Sequence, residues 1–312
     1  MRLWTLPGAV VLTLALAAPA SAAQLLPPAD LAASPGNGSA ACDPTGFEFH
    51  PGIAAVDVAS SDAGETVVAW TRNDGIGGQT VEASFRPPGG AFSAPQTVGR
   101  TQACYALGII GATPEVGIDA RGNAAVVFPA TAANGRTVVR GAVRPAGGAF
   151  GSAVDLSDSA SSAEGSRLAM GADGSAVAVW TRPDGGRFAV EAAPLTPGGA
   201  RFASPVKLST SGRDARFARV AVNDAGAAAV TWTGGDDAAP AGRVTQVRVR
   251  PAGTQSFAAA ASLSRSGADT DGPDVALDAA GSATATWVAA TGNKRDAVAL
   301  DLAGRQRRRR RG

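Results

Sequence analysis

The side chains of this chain best suited to recognition are guanidinium and carboxylate groups, set at intervals along it. They are Arg72 and Asp74, then Arg136, then Arg182, Asp184 and Arg187, then Asp236, and finally Arg295 and Asp296. Each group follows an apolar run that ends in an aromatic residue. Arginine presents a planar fork of donors and aspartate presents acceptors, so such a set could hold a hydroxyl-rich or charged ligand. The same residues could equally form a solvated rim with no ligand. Other chemistries have little to draw on. His50 is the single histidine, which removes most His-based triads and multi-His metal sites. Every glycine cluster falls in a hairpin, which leaves no phosphate-cradling loop. No metal and no cofactor are expected, and no catalytic residue is assigned.

What positions these groups is a repeat. One unit recurs five times: an apolar strand, a turn with Asp or Asn before Gly, and a second strand that ends in an aromatic. The turn glycines are Gly64, Gly122, Gly174, Gly226 and Gly281, spaced 58, 52, 52 and 55 residues apart. Six residues after each comes Trp70, Phe128, Trp180, Trp232 or Trp287. In the first four units a third strand then leads to a Pro-Gly turn (Pro87–Gly90, Pro145–Gly148, Pro197–Gly199, Pro251–Gly253). Phe92, Phe150, Phe202 or Phe257 and a short fourth strand follow. Four strands in roughly 50 residues is the spacing of a propeller blade.

The second strand is apolar on both sides, as in Ala176-Val177-Ala178-Val179-Trp180. A half-solvated strand would alternate, whereas one sandwiched between blades would not. The phase-locked aromatics are therefore expected in the core rather than as sugar platforms. Hairpin logic places the first and third turns of each unit on one rim. The other rim carries the segments 71–79, 129–136, 181–187, 233–243 and 288–296, and with them the charged groups named above. The fold expected is all-β, a single β-propeller of five four-stranded blades spanning residues 23–304. The last unit lacks a fourth strand, and Gln24 to Ala32 resembles Phe202 to Ser209. This N-terminal strand is expected to pair with the last blade and close the ring, which would cover an open edge.

The phrase Gly-x-x-x-x-x-Trp, followed by Pro-x-Gly-Gly-x-Phe, resembles the secreted β-propeller repeat proteins of high-GC bacteria. These are similar in turn to lectin-like and sialidase-like propellers. The resemblance covers nearly all of the mature chain and specifies a fold well and a function poorly, because fold alone does not carry activity. It does not carry a sialidase's chemistry across. Ser60-Ser61-Asp62-Ala63-Gly64-Glu65-Thr66 fits the Asp-box of that family, but it occurs once and marks a structural turn there. The sole tyrosine is Tyr105, and Ser84-Phe85-Arg86-Pro87 only approximates the family's Phe-Arg-Ile-Pro.

Residues 1–22 have the pattern of a signal peptide. Arg2 precedes an apolar run from Gly8 to Ala18, and Ala20-Ser21-Ala22 supplies a small-x-small cleavage site. That run is too short to span a bilayer. The protein is thus expected to be secreted or held at the cell surface, with no integral membrane segment after cleavage. Six arginines crowd residues 305–312, which read as a disordered basic end, a surface-binding arm, or a frame-shifted terminus. Without those six and Arg2, the net charge of +2 becomes −5. That balance argues against a nucleic-acid partner.

Cys42 and Cys104 stand at nearly the same phase of the first two units, nine and ten residues ahead of Pro51 and Pro114. In an exported chain they are expected to form a disulfide that staples blade 1 to blade 2. The expected protein is a monomeric, non-catalytic binding module for an extracellular glycan or protein. A structural or adhesive surface protein is the alternative, with a sialidase-like hydrolase behind both. Deleting Gln24 to Leu31 should lower the melting temperature sharply. An unchanged value would exclude ring closure by that segment.

Overall fold

A computed structural model describes residues 30–32, 52–73, 79–101, 113–235, 242–264 and 269–302. The chain divides after Asp30, and the unit that begins at Leu31 holds five antiparallel sheets in sequence order. Blade 1 is β1 (Gly52–Ser60), β2 (Thr66–Asn73), β3 (Gln79–Arg86) and β4 (Gln96–Arg100). Blade 2 is β5 (Glu115–Ile118), β6 (Ala124–Thr131), β7 (Thr137–Arg144) and β8 (Val154–Asp155). Blade 3 is β9 (Glu164–Met170), β10 (Ala176–Asp184), β11 (Arg187–Leu195) and β12 (Val206–Lys207). Blade 4 is β13 (Asp214–Val222), β14 (Ala228–Gly235), β15 (Val244–Arg250) and β16 (Ala261–Ser262). Blade 5 is β17 (Asp269–Leu277), β18 (Ala283–Thr291) and β19 (Lys294–Leu302). Within each blade the strands pair in chain order. The first strands β1, β5, β9, β13 and β17 pack against one another in succession, so they are the inner strands.

The second strand of each blade carries the core. In β10, Ala176, Ala178 and Trp180 pack toward blade 2, while Val177 and Val179 pack toward blade 4. All five are fully buried. Phe128, Trp180 and Trp232 are likewise wholly inaccessible, and Trp70 and Trp287 nearly so. A buried indole needs an acceptor for its N–H. Trp70, Trp180 and Trp232 donate to Glu82, Glu191 and Gln246 on the neighbouring strand, at 3.0, 3.1 and 2.9 Å.

On the turn rim, adjacent blades interlock. The five turn glycines hold φ between +81° and +91°, a region L side chains avoid. Each also lies against the preceding blade's turn where one precedes it. A Cβ on Gly174 would sit 2.8 Å from Asp119 Oδ2, and one on Gly226 would collide with Asp173 and lie 2.6 Å from Ser175 Oγ. The backbone joins in: Ala120 N–H donates to the Ala172 carbonyl at 3.0 Å, and Asn223 Nδ2 donates to the Asp278 carbonyl at 2.8 Å. Buried Arg144 and Arg250 finish the rim, donating to the carbonyls of Gly122 and Gly226. The Arg144 guanidinium also stacks 3.6 Å from the centroid of Phe85, in the blade before.

The two ends of the row differ from its middle. On the forward face of the second strand, the residues run Val67/Ala69, Ala125/Val127, Val177/Val179, Ala229/Thr231 and finally Thr284/Thr286. Thr284 and Thr286 are exposed, and Thr284 Oγ1 donates to Asp301 at 2.6 Å. At the other end Val56 and Val58 of β1 are 58% exposed. Blade 5 has three strands among the described residues, not the four expected. The N-terminal strand expected there lies outside the described residues apart from Asp30, Leu31 and Ala32, which belong to no strand. Residues 1–22, the tail and both cysteines, Cys42 and Cys104, also fall outside them.

The interlocked turns can be tested with two glycines of similar backbone. Gly226→Ala adds a collision to the roughly 1–2 kcal/mol cost of left-handed backbone, whereas Gly253, at φ +70°, has nothing within 4 Å. In chemical unfolding, Gly226→Ala should therefore destabilise clearly more than Gly253→Ala. Equal effects would mean that the turns do not hold the blades together.

Candidate functional site

Of the charged groups expected on the loop rim, seven fall among the described residues, and four of them, Arg72, Arg182, Asp184 and Asp296, are paired with other side chains. Arg72 Nε donates to Glu82 at 2.7 Å, on the same carboxylate that takes the Trp70 indole. Arg182 repeats the arrangement, with Nε on Glu191 at 2.9 Å, and adds Asp158 at 2.6 Å. Asp184 pairs with Lys207, and Asp296 with Lys294 at 3.2 Å. Arg136 is exposed on the blade 2 turn. Arg187 lines a small cleft of about 240 Å³ with Gly212, Arg213, Gly235 and Gly242. Arg295 lies near Asp269, which is held below the usual carboxylate range first by its hydrogen bond from Arg243. Asp74 and Asp236 lie outside the described residues.

The connections are also shorter than expected. In blade 3, strands β10 and β11 pair as far as Asp184 and Arg187, leaving only Gly185 and Gly186, with φ of +60° and +82°. Two positive φ angles in a two-residue hairpin define a type I′ turn. Arg182, Asp184 and Arg187 are thus strand residues with neighbours across the hairpin. They are not the tips of a variable loop.

A second set of charges stands at the centre. Asp57, Glu115, Arg167, Arg219 and Asp274 lie one on each inner strand, every one seven residues before its turn glycine. Asp57, Glu115, Arg167 and Arg219 are half-buried, and Asp274 is exposed. Arg167 pairs with Glu115 at 3.1 Å, and Asp57 accepts the Val116 N–H at 2.8 Å. Burial pushes the Glu115 carboxyl above its ordinary range; Arg167 pulls it back and Asp57 pushes it further. Burial lowers Arg219, and the like charge of Arg167 lowers it again, against the opposing pull of Asp274 and Glu115. Glu115 and Arg219 stand two blades apart, and each still acts on the other's charge. The Arg219 guanidinium donates to the Ala218 carbonyl at 3.1 Å.

Bulges aim these groups. The inner strands β1, β9, β13 and β17 each lose register just before the central charge. At each bulge one residue has positive φ, nine before the turn glycine: Ala55 (+48°), Gly165 (+64°), Phe217 (+59°) and Gly272 (+57°). A bulge adds a residue to one strand and swings the side chains that follow. Beside the third bulge, the Arg216 guanidinium stacks 3.4 Å from the Phe188 centroid and faces Glu164 at 3.8 Å.

Sequence reasoning passed over this set because the loops drew attention to the rim. The signal was present. Alignment of the five units on their turn glycines puts an ionisable residue at the same inner-strand position every time.

No protein-family model matches this chain, and no curated protein matches its sequence. Its fold is shared with solved structures. A polysaccharide lyase of family PL25, an ulvan lyase bound to -[GlcA(1-4)Rha3S]-, aligns with a TM-score of 0.52 and 14% identity over 86% of this chain and 72% of its own. The α-L-arabinofuranosidase Arb93A of Fusarium graminearum aligns at 0.46 with 13% identity over 83% of this chain and 79% of its own. A thermostable family-43 glycoside hydrolase aligns at 0.38 with 13% identity over 84% and 93%. The fold is that of a five-bladed β-propeller, a class that includes carbohydrate-active enzymes. At these identities the likeness extends to the fold alone.

The centre has a pH signature. A carboxyl whose folded pKa is raised holds its proton longer in the folded state. Its contribution to stability is complete below the unfolded value and falls as pH rises through the folded one. Glu115→Gln should remove that fall. From about pH 4 to pH 7, the melting temperature of the variant relative to wild type should shift in the variant's favour. A gap independent of pH would contradict the burial of Glu115.

Proposed function

We propose that this protein is an exported carbohydrate-binding propeller whose ligand is an acidic polysaccharide held at the central row of charges. The observation that carries the reading is the pair Arg167 and Arg219. They occupy the same position on adjacent inner strands; Arg167 is paired with Glu115 at 3.1 Å, and its like charge lowers Arg219. A ligand carboxylate between them would relieve that repulsion and accept charge-assisted hydrogen bonds. The flanking carboxylates Glu115, Asp57 and Asp274 offer acceptors for sugar hydroxyls.

This moves the ligand from the loop rim to the centre. Arg72 and Arg182 spend donors on carboxylates of their own hairpins and so have less to offer a ligand than Arg219, whose guanidinium is bonded to the Ala218 carbonyl. The glucuronate-containing ligand of the ulvan lyase, on a related scaffold, is consistent with an acidic sugar. The export pattern at residues 1–22 would bring the protein to polysaccharides outside the cell.

A second reading follows from Glu115. A carboxyl held toward its protonated form beside a second carboxylate, Asp57, is the arrangement of an acid–base pair in glycoside cleavage. Release of new reducing ends from a bound oligosaccharide, lost in Glu115→Gln, would establish it.

Binding of the purified protein to uronic-acid oligosaccharides and their carboxyl-reduced forms tests the first reading. The acidic forms should bind and the reduced forms should not. Arg219→Ala should weaken binding at least about tenfold, near 1.4 kcal/mol. Arg72→Ala should leave affinity unchanged while lowering stability. Equal binding of acidic and reduced sugars would overturn the proposal.

A further inference from the structure

Phe217 is the odd residue of the inner strands. It occupies the bulge of β13 with φ of +59°, a conformation that is a true outlier for a bulky side chain. The equivalent positions of blades 3 and 5 are Gly165 and Gly272, and that of blade 1 is Ala55. Glycine would adopt this backbone without strain. Yet blade 4 keeps a phenylalanine there, and the ring is not rewarded by burial. Phe217 is 48% exposed, while its neighbour Ala218 is 1% exposed and packs in the core between blades 3 and 4. The bulge therefore turns an aromatic side chain outward, two residues from Arg219.

Burial does not explain this combination, because a large apolar side chain held half in water gains little from folding. Local pairing does not explain it either: the cation–π partner of Arg216 is Phe188, not Phe217. Strain retained at an exposed position points to a ligand. We propose that Phe217 is the stacking platform for a pyranose ring of the acidic glycan, and that Arg219 takes the carboxylate of the same or the next residue. This rests on the reading of the central charges as an acidic-glycan site. Such a pairing selects a uronic acid with one apolar C–H face. The C–H face lies on the aromatic ring, and the carboxylate is directed to the guanidinium.

Three substitutions at one position, compared with two elsewhere, test it. The probe is a uronic-acid tetrasaccharide, titrated into the full mature chain by calorimetry, with melting temperatures measured in parallel. Phe217→Ala and Phe217→Gly should each weaken binding at least tenfold, and Phe217→Trp should retain it. Phe217→Gly should melt above Phe217→Ala, although glycine ordinarily destabilises a strand relative to alanine. Ala55→Gly, at the equivalent bulge of blade 1, should leave affinity unchanged. If Phe217→Ala binds as tightly as wild type while Arg219→Ala does not bind, the platform is refuted and the anion site stands. Failure of the wild-type chain to bind the tetrasaccharide overturns both.

Discussion

The structure depends on the sandwiching of one strand per blade. In blades 1 to 4 the second strand has no solvated face, so it cannot be satisfied by its own sheet and requires a neighbour, whereas β18 of blade 5 exposes Thr284 and Thr286. Burying a tryptophan at the end of that strand raises a further demand, an acceptor for the indole N–H. Glu82 and Glu191 meet it, and being charged they then need cations, which Arg72 and Arg182 supply. Blade 4 shows the logic by substitution. Where the arginine becomes Gly234, the carboxylate becomes the neutral amide Gln246, and the indole bond survives. Blade 2 shows it again: Phe128 has no N–H to satisfy, and Arg140 stands opposite it in the pairing and bonds Asp155 on the outer strand instead.

That chain of requirements explains what could and could not be read from sequence. The aromatic six residues after the turn glycine was legible as core, because periodicity reports burial directly. The blade count and turn chemistry were legible for the same reason. The role of Arg182 was not. In sequence it stands in a polar stretch near Asp184, whereas its partners, Glu191 and Asp158, are nine and 24 residues away. A polar residue after an apolar strand looks the same whether it faces a ligand or a carboxylate across the hairpin. The central charges were legible in position but not in meaning. Only the packing of the inner strands shows that Asp57, Glu115, Arg167, Arg219 and Asp274 stand on successive neighbouring strands and act on one another's charge.

The bulges were the least legible. Asp-Ala-Arg-Phe-Ala-Arg-Val reads as an ordinary strand, and nothing local marks Phe217 as the residue that takes positive φ. Alignment of repeats helps only afterward, when Gly165 and Gly272 are known to hold the same backbone.

The division of labour between periphery and centre follows from these interactions. The sandwiched strands and interlocked turns supply apolar burial and matched hydrogen bonds, so they tolerate little change. The centre violates the same rules. Two arginines stand close enough to repel, a half-buried carboxyl is pushed toward its neutral form, and an aromatic ring occupies a backbone suited to glycine. Locally unfavourable choices are sustained where the surrounding structure over-determines them, and they concentrate where a protein acts. The periphery satisfies that condition in blade 4, because its inner strand β13 is bonded to β14, which is buried on both faces. Charge frustration and backbone strain meet within three residues of β13, which makes blade 4, rather than the loop rim, the place where this propeller meets its ligand under the proposal made above.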